Sequence, residues 1–408
     1  MMALSDREPE TIPGYGADRR RHSPTNDSAQ ANRVASSAQP LDVVHQRIVL
    51  AGGGLPHLHC LRAASRAPLG GASVTVVAPA AQIVYSGMLP GWVAGHYSLD
   101  ECLVPIAALA RRAGATFVRG SVEYVDAAQR RIALDDGAML DFDVLSLAVG
   151  SVIDTHAIRG AEAHAIAVRP LEAFARRWDA FASTVNDGDR RQVVVIGAGP
   201  GGVEIALAVR HRLGRSVGVT VVSSTNVLPA GSRTRLQRCM HAAGIVVHSN
   251  ARALAIDERG VRLDDGTQVP ADVALVATGS AAPRWLAASG LPVDPDGYVK
   301  VEPTLQVMAH RGIFASGDCA SIAGHPQPRS GVHALRMGPT LLENLRRSLA
   351  GDALTRYSPR QRALYLMSTG DRYAVGSWGG VAFEGRWAWR WKNRIDRAFI
   401  ARHAARDD

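Results

Sequence analysis

Apolar positions along the chain fall into short continuous runs and helix-spaced stretches, and their order repeats. Residues 47–64, RIVLAGGGLPHLHCLRAA, pass from an apolar run through three glycines into a helical pattern, and ASVTVVAP at 72–79 resumes the run. Strand, turn, helix and strand over 46–79 make a βαβ unit. Residues 122–151 then read as a hairpin turning at Asp135–Gly137, followed by a buried strand at 143–149. The pattern restarts with RRQVVVIGAGPGGVEIALAVRHRL at 190–213 and GVTVVSS at 218–224, and a second hairpin-plus-strand block at 251–280 turns at Asp265–Gly266. The offset is about 145 residues.

This repeat predicts an α/β fold of two nested Rossmann-like dinucleotide-binding domains with a C-terminal tail. The first domain is discontinuous, 46–154 with 275–345, and encloses the second at 155–274. A helix is expected over about 337–350, and residues 346–408 form the tail. Residues 1–45, rich in Ser, Pro, Asp and Arg without apolar periodicity, read as a disordered extension.

Composition changes this picture little until the charge is located. The formal net charge is +9, and all but two of the 46 basic side chains are arginine, the lysines being Lys300 and Lys392. Residues 386–406 hold seven basic side chains against one acid, Asp396. On a helical wheel Trp387, Ala388, Trp391, Ile395, Ala398 and Phe399 share one arc, opposite Arg390, Arg394 and Arg397. That is the signature of a basic amphipathic helix for an anionic membrane surface, or of one packed on the protein body. No basic run interleaved with aromatics and no helix-turn-helix or zinc-finger spacing points to nucleic acid. Cys60, Cys102, Cys239 and Cys319 are scattered, so no dithiol or zinc motif exists and no metal is expected. Without a signal-peptide core or a transmembrane run, a cytoplasmic location is expected, with peripheral contact on the inner membrane face. Oligomeric state stays open.

Two glycine turns carry the chemistry. Gly197, Gly199 and Gly202 fit G-x-G-x-x-G between an apolar strand and a helix, where backbone approaches a pyrophosphate and helix amides face the anion. In the first turn, Gly52, Gly53 and Gly54, the third motif position holds His57 instead. A side chain there pushes helix and strand apart or sits beside the phosphates. Neither second strand ends in the carboxylate that binds ribose hydroxyls: Ala78-Pro79 follows one and Ser223-Ser224 the other. The second absence fits NADPH or poor discrimination, with Arg233 or Arg235 as candidates for a 2′-phosphate.

With these motifs in order, and with YSGMLPG at 85–91, GIFASGD at 312–318, GVHALRMGP at 331–339 and the C-terminal 368–403, the chain resembles the pyridine nucleotide-disulfide oxidoreductase superfamily. It is most similar to type II NADH dehydrogenase-like flavoproteins, and among these to the flavoprotein module found with selenophosphate synthetase. The resemblance implies FAD on Gly52, Gly53, Gly54 and His57, with Gly150 beside it. Asp318 would bond the ribityl or phosphate portion and Gly317 allow close approach, although an aspartate after glycine is also an ordinary turn former. Tyr85, Ser86, Gly87 and Met88 would line the isoalloxazine. Gly197, Gly199, Gly202 and Gly279 would hold NADH or NADPH, with Glu204 near that cofactor or simply complementing the helix dipole. GVHALRMGP would place His333 and Arg336 beside flavin and quinone, with Met337 where a glutamine is usual. His333 then protonates a reduced quinone or packs inside a helix.

The expected activity is hydride transfer from NAD(P)H to the flavin and electron delivery to a quinone-like acceptor. Two alternatives remain: a flavin reductase with another acceptor, linked to selenium or sulfur metabolism, and a decayed nucleotide-binding redox sensor.

Overall fold

The computed structural model describes residues 46–404 apart from 187, 226, 227, 229, 230, 327 and 361. The extension expected over 1–45 lies outside the described residues.

Two five-stranded parallel sheets form the frame. In the first, strands run in the order Ile313–Ala315, Val144–Leu147, Arg47–Ala51, Ser73–Ala78 and Thr116–Arg119, with helix α1 (Leu55–Ala64) crossing between the third and fourth. The order in the second is Ala165–Ala167, Val273–Val276, Gln192–Ile196, Gly218–Ser223 and Val246–Ser249. Helix α2 (Leu171–Ala182) follows its edge strand and α3 (Pro200–Leu213) follows its glycine turn. The central strands are buried and largely apolar, because parallel sheets are covered on both faces.

The repeat extends to individual hydrogen bonds. Asp143 accepts from the Arg47 amide at 2.7 Å, and Asp272 from the Gln192 amide at 2.7 Å. Gly52 N–H donates to Val77 O and Gly197 N–H to Val222 O, both at 2.8 Å. Each lobe also carries an antiparallel meander, 122–141 and 253–270. The chain crosses between lobes through an antiparallel pair, Val152–Ile153 with Ser280–Ala281. One expected boundary shifts accordingly. Val273–Val276 pairs with strands of the second sheet on both sides, so the nested lobe runs past 274 and the chain returns near 280.

Helix α4 (Gly331–Ala350) starts six residues before its expected beginning, with Pro339 inside it. The tail adds an antiparallel sheet, Leu364–Ser368, Ala374–Trp378 and Val381–Gly385, which the sequence reading did not anticipate. Helix α5 (Arg386–His403) closes the chain. Its buried face holds Ala388, Asp396, Phe399 and His403, with Lys392 nearly covered. The expected apolar arc is therefore divided. Ala388 and Phe399 pack inward, while Trp387 and Trp391 stay 54% and 42% exposed. The cause is the Lys392–Asp396 pair, whose mutual neutralisation lets charged positions occupy the inner face.

Candidate functional site

Each sheet opens a cavity at the carboxyl ends of its strands, where open α/β sheets bind ligands. The first, about 550 Å³, is lined by Gly52, Gly53 and Gly54, the first turn of α1, Tyr85, Ser86, Gly150, Ser316, Gly317 and Asp318. The second, about 830 Å³, is lined by Gly197, Gly199, Gly202, Ser223, Ser224, Thr225, Arg252 and Gly279. Gly54 caps α1 and Gly199 caps α3, so both helices direct free N-terminal amides towards the cavities.

Glycine is required at these turns for packing. Gly52 and Gly197 have φ of 98° and 114°, a region L side chains rarely enter, and a Cβ on either would run into the carbonyl of Ala148 or Ala277. Gly150 and Gly279 differ: a Cβ there meets nothing within 4 Å, because both face open cavity.

The cavities share a wall. The edge strand of the second sheet delivers Arg169 at its carboxyl end, and the corresponding strand of the first sheet delivers Asp318. Arg169 Nη1 donates to Asp318 Oδ2 at 3.0 Å and to Ser151 Oγ at 2.7 Å, and Arg169 lines both cavities. Sequence reading singled out Asp318 but missed Arg169, for which an arginine-rich chain offers no local signal.

His57 does not meet phosphate. It is fully buried, with Nδ1 2.7 Å from Gly52 O and Nε2 2.8 Å from Ser146 Oγ. Burial pushes its pKa down to about 4. The neutral ring therefore donates from Nδ1 to the carbonyl and accepts the Ser146 hydroxyl at Nε2.

Tyr85 leads from the first cavity into a buried polar cluster beneath α5. Its ring stacks on Phe399 at 4.2 Å, and its hydroxyl donates to Asp396 Oδ1 at 3.3 Å. Asp396 pairs with Lys392 at 2.7 Å, their side chains 6% and 13% exposed, and Lys392 also donates to the carbonyl of Gly87. Burial opposes charge on Lys392, and Asp396 and Glu204 outweigh it, so the ammonium is retained. Burial pushes Glu204 up to about 7, with Lys392 pulling it partly back, and Glu204 Oε1 accepts the Ser368 amide at 2.7 Å. Glu204, expected near the pyridine nucleotide or complementing the helix dipole, thus faces the tail and does not line the second cavity. The missed signal was Lys392, one of only two lysines.

The remaining expectations divide. Tyr85 and Ser86 line the first cavity; Gly87 and Met88 lie behind it. His333 is buried and lines neither of the two cavities, its Nδ1 lacks a hydrogen-bond partner among the described residues, and burial lowers its pKa. Arg336 is spent on the carbonyls of Arg360 and Arg362 and reaches neither cavity, because the tail folds back over this face of α4. Met337 accepts the Gly317 amide through its sulfur at 3.1 Å. Arg235 turns to Gly231 and Glu384, and neither it nor Arg233 lines the second cavity. None of the four cysteines lines either cavity, and burial pushes the Cys60 and Cys319 thiols up to about 12 and about 11.

A family model described as pyridine nucleotide-disulphide oxidoreductase matches residues 46–338, spanning both glycine turns and Asp318. The chain belongs to the pyridine nucleotide-disulphide oxidoreductase family. Members of this family work with a flavin and a pyridine nucleotide, and the chain is an oxidoreductase of that kind. The demethylphylloquinone reductase NdbB of Synechocystis is 25% identical, covering 70% of this chain and 74% of its own. The type II NADH:quinone oxidoreductase of Staphylococcus aureus is 24% identical, covering 74% and 82%. Among solved structures, NDH2 from Plasmodium falciparum superposes with a TM-score of 0.73 at 15% identity, covering 87% of this chain and 97% of that one. Sulfide:quinone oxidoreductase from Aquifex aeolicus gives 0.71 at 18%, covering 88% and 91%. At these identities the structural likeness carries the fold alone.

The cavities fit the family's cofactors. Ser316 Oγ is buried at the first cavity with no hydrogen-bond partner among the described residues, and the open faces of Gly150 and Gly279 leave room for a ligand to approach backbone.

Proposed function

We propose that the chain is an FAD-dependent NAD(P)H oxidoreductase that passes electrons to a quinone. The observation that carries this reading is the shared wall: two glycine-turn cavities meet at Arg169 and Asp318, so ligands extending from the two turns converge there. A glycine turn leading into a helix suits the pyrophosphate of a dinucleotide, which favours FAD over a mononucleotide flavin. Gly52, Gly53 and Gly54 hold that pyrophosphate, and Asp318 orients the adjoining chain. Gly197, Gly199 and Gly202 hold the pyridine nucleotide. The flavin supplies the redox chemistry when bound; the protein supplies position and charge.

The quinone follows from two supports. The relatives named above are called quinone reductases. Reducing a quinone takes up protons with the electrons, and Glu204, pushed up to about 7 beside Lys392 and Asp396, is poised to exchange one near neutral pH. Tyr85 connects that cluster to the first cavity.

The test is anaerobic. Purified protein should be yellow, bleach on adding NADH or NADPH, and recolour with a soluble quinone analogue under argon. Protein that takes up no FAD, or a reduced flavin indifferent to quinone, rejects the reading.

A quinone acceptor also implies contact with lipid. Val381, Trp387, Trp391 and Ile395 form an exposed apolar ridge, with half-buried Phe383 stacked on Trp387 at 5.1 Å, beside exposed Arg386, Arg390 and Arg394. No helix among the described residues is long and apolar enough to cross a membrane, so docking is peripheral. Trp387→Glu with Trp391→Glu should reduce co-sedimentation with anionic liposomes; unchanged binding would reject this surface. Deleting α5 is a poorer test, because Lys392 and Asp396 belong to the buried cluster.

A further inference from the structure

The second cavity carries a charge asymmetry that neither glycine motif accounts for. Among the described residues lining it, Asp154 is the one carboxylate, against Arg169, Arg252 and Arg329. Arg169 is engaged with Asp318, and Arg329 lies over the Tyr298 ring and near Asp294 at 3.6 Å. The guanidinium of Arg252 has no hydrogen-bond or ion-pair partner among the described residues, and its side chain is exposed.

Its position is fixed by backbone. Ala251 N–H donates to Ser223 O at 3.0 Å, which sets Arg252 immediately beyond the end of strand Gly218–Ser223. There the ribose of a dinucleotide is normally read by a carboxylate. Here the strand end offers Ser223, Ser224 and Thr225 instead.

The first lobe supplies an internal control. Gly120 N–H donates to Ala78 O at 3.0 Å, the same bond at the same place, so Ser121 occupies the position of Arg252. Ser121 lines the first cavity, and the ligand proposed there, FAD, has a free 2′-hydroxyl on its adenosine ribose. One architecture thus places a hydroxyl where the proposed ligand lacks a 2′-phosphate and an unpaired guanidinium in the other lobe.

We infer that Arg252 reads a 2′-phosphate, so that the second cavity selects NADPH over NADH. Arginine suits the task because its fork matches phosphate oxygens and it carries its charge at any working pH. A carboxylate at the strand end would repel the same phosphate, and none is present. The inference rests on the proposed hydride donor and deepens it.

The experiment uses flavin-loaded protein. Rates of anaerobic flavin bleaching are measured against NADPH and NADH concentration, for wild type, Arg252→Ala and Arg252→Lys. Wild type should favour NADPH by about tenfold or more in the second-order rate constant. Arg252→Ala should collapse that ratio towards one, and Arg252→Lys should keep part of it. Direct titration with 2′,5′-ADP and 5′-AMP reads the same phosphate without hydride transfer, and wild type should favour 2′,5′-ADP. Equal or better use of NADH by wild type, or a ratio unmoved by Arg252→Ala, overturns the inference while hydride transfer stands. If neither nucleotide bleaches the flavin, the proposed function falls, and 2′,5′-ADP against 5′-AMP still decides Arg252: preference for 2′,5′-ADP lost in Arg252→Ala supports it, and no preference overturns it.

Discussion

In the second glycine turn, a Cβ on Gly202 would overlap the carbonyl oxygen of Gly197. At the same position of the first turn stands His57, and its ring bonds the equivalent carbonyl, that of Gly52, at 2.7 Å. The two lobes share strand order, backbone bonds at both ends of the central strands and the left-handed first glycine. They differ in how they treat one oxygen. The second lobe leaves it room; the first gives it a donor and anchors the far side of that donor on Ser146. The third glycine of the motif is therefore one answer to a packing problem, and a buried neutral imidazole is another.

The imidazole answer depends on pH and the glycine answer does not, which makes the difference testable. Burial holds the His57 imidazole down at about 4, against an ordinary value of about 6.5. A base whose pKa falls on folding binds its proton better when unfolded. Its contribution is therefore complete above about 6.5 and is lost as pH falls from there towards about 4, a loss of roughly 3 kcal/mol. A glutamine at 57 keeps a donor and an acceptor and removes the titration. Urea unfolding of flavin-loaded wild type and His57→Gln between pH 7.5 and 4, ranges chosen to bracket the titration at about 6.5 and about 4, should show the gap between them shifting against wild type as pH falls. Parallel curves would mean the ring is not held neutral, and the comparison between the turns would lose its physical basis.

Much of the frame was legible because its signals are local. Apolar runs, glycine turns and the restart after about 145 residues fix two sheets before any contact is known. What stayed hidden depends on residues far apart in the chain. Arg169 and Asp318 are distant in sequence and meet because equivalent strands of two sheets end at one wall. Lys392, Asp396 and Tyr85 converge because α5 turns a charged face inward, opposite to what hydrophobicity alone indicates. Two signals were present and unread. Gly379-Gly380, with φ of 57° and 91°, is a two-residue hairpin loop and announces the tail sheet. Pro339 does not begin the helix: it sits on an exposed side of α4, where one missing amide donor is tolerated in a helix packed along its length.

The smallest expected effect separates glycines that serve the fold from glycines that serve a ligand. Gly197 and Gly279 both line the second cavity. Gly197 has left-handed backbone and a carbonyl in the path of any Cβ, so it is needed whether or not a nucleotide is present. Gly279 has neither constraint: its backbone suits an L residue, and a Cβ would project into open space. Gly279→Ala should therefore change unfolding free energy by no more than about 0.5 kcal/mol. Its new methyl should still meet an incoming pyridine nucleotide, so the dissociation constant read from flavin bleaching should rise several-fold while flavin occupancy holds. A variant that binds nucleotide as well as wild type would mean the ligand does not pass Gly279. The match between Gly279 and Gly150, each open towards its own cavity, would then describe the frame alone.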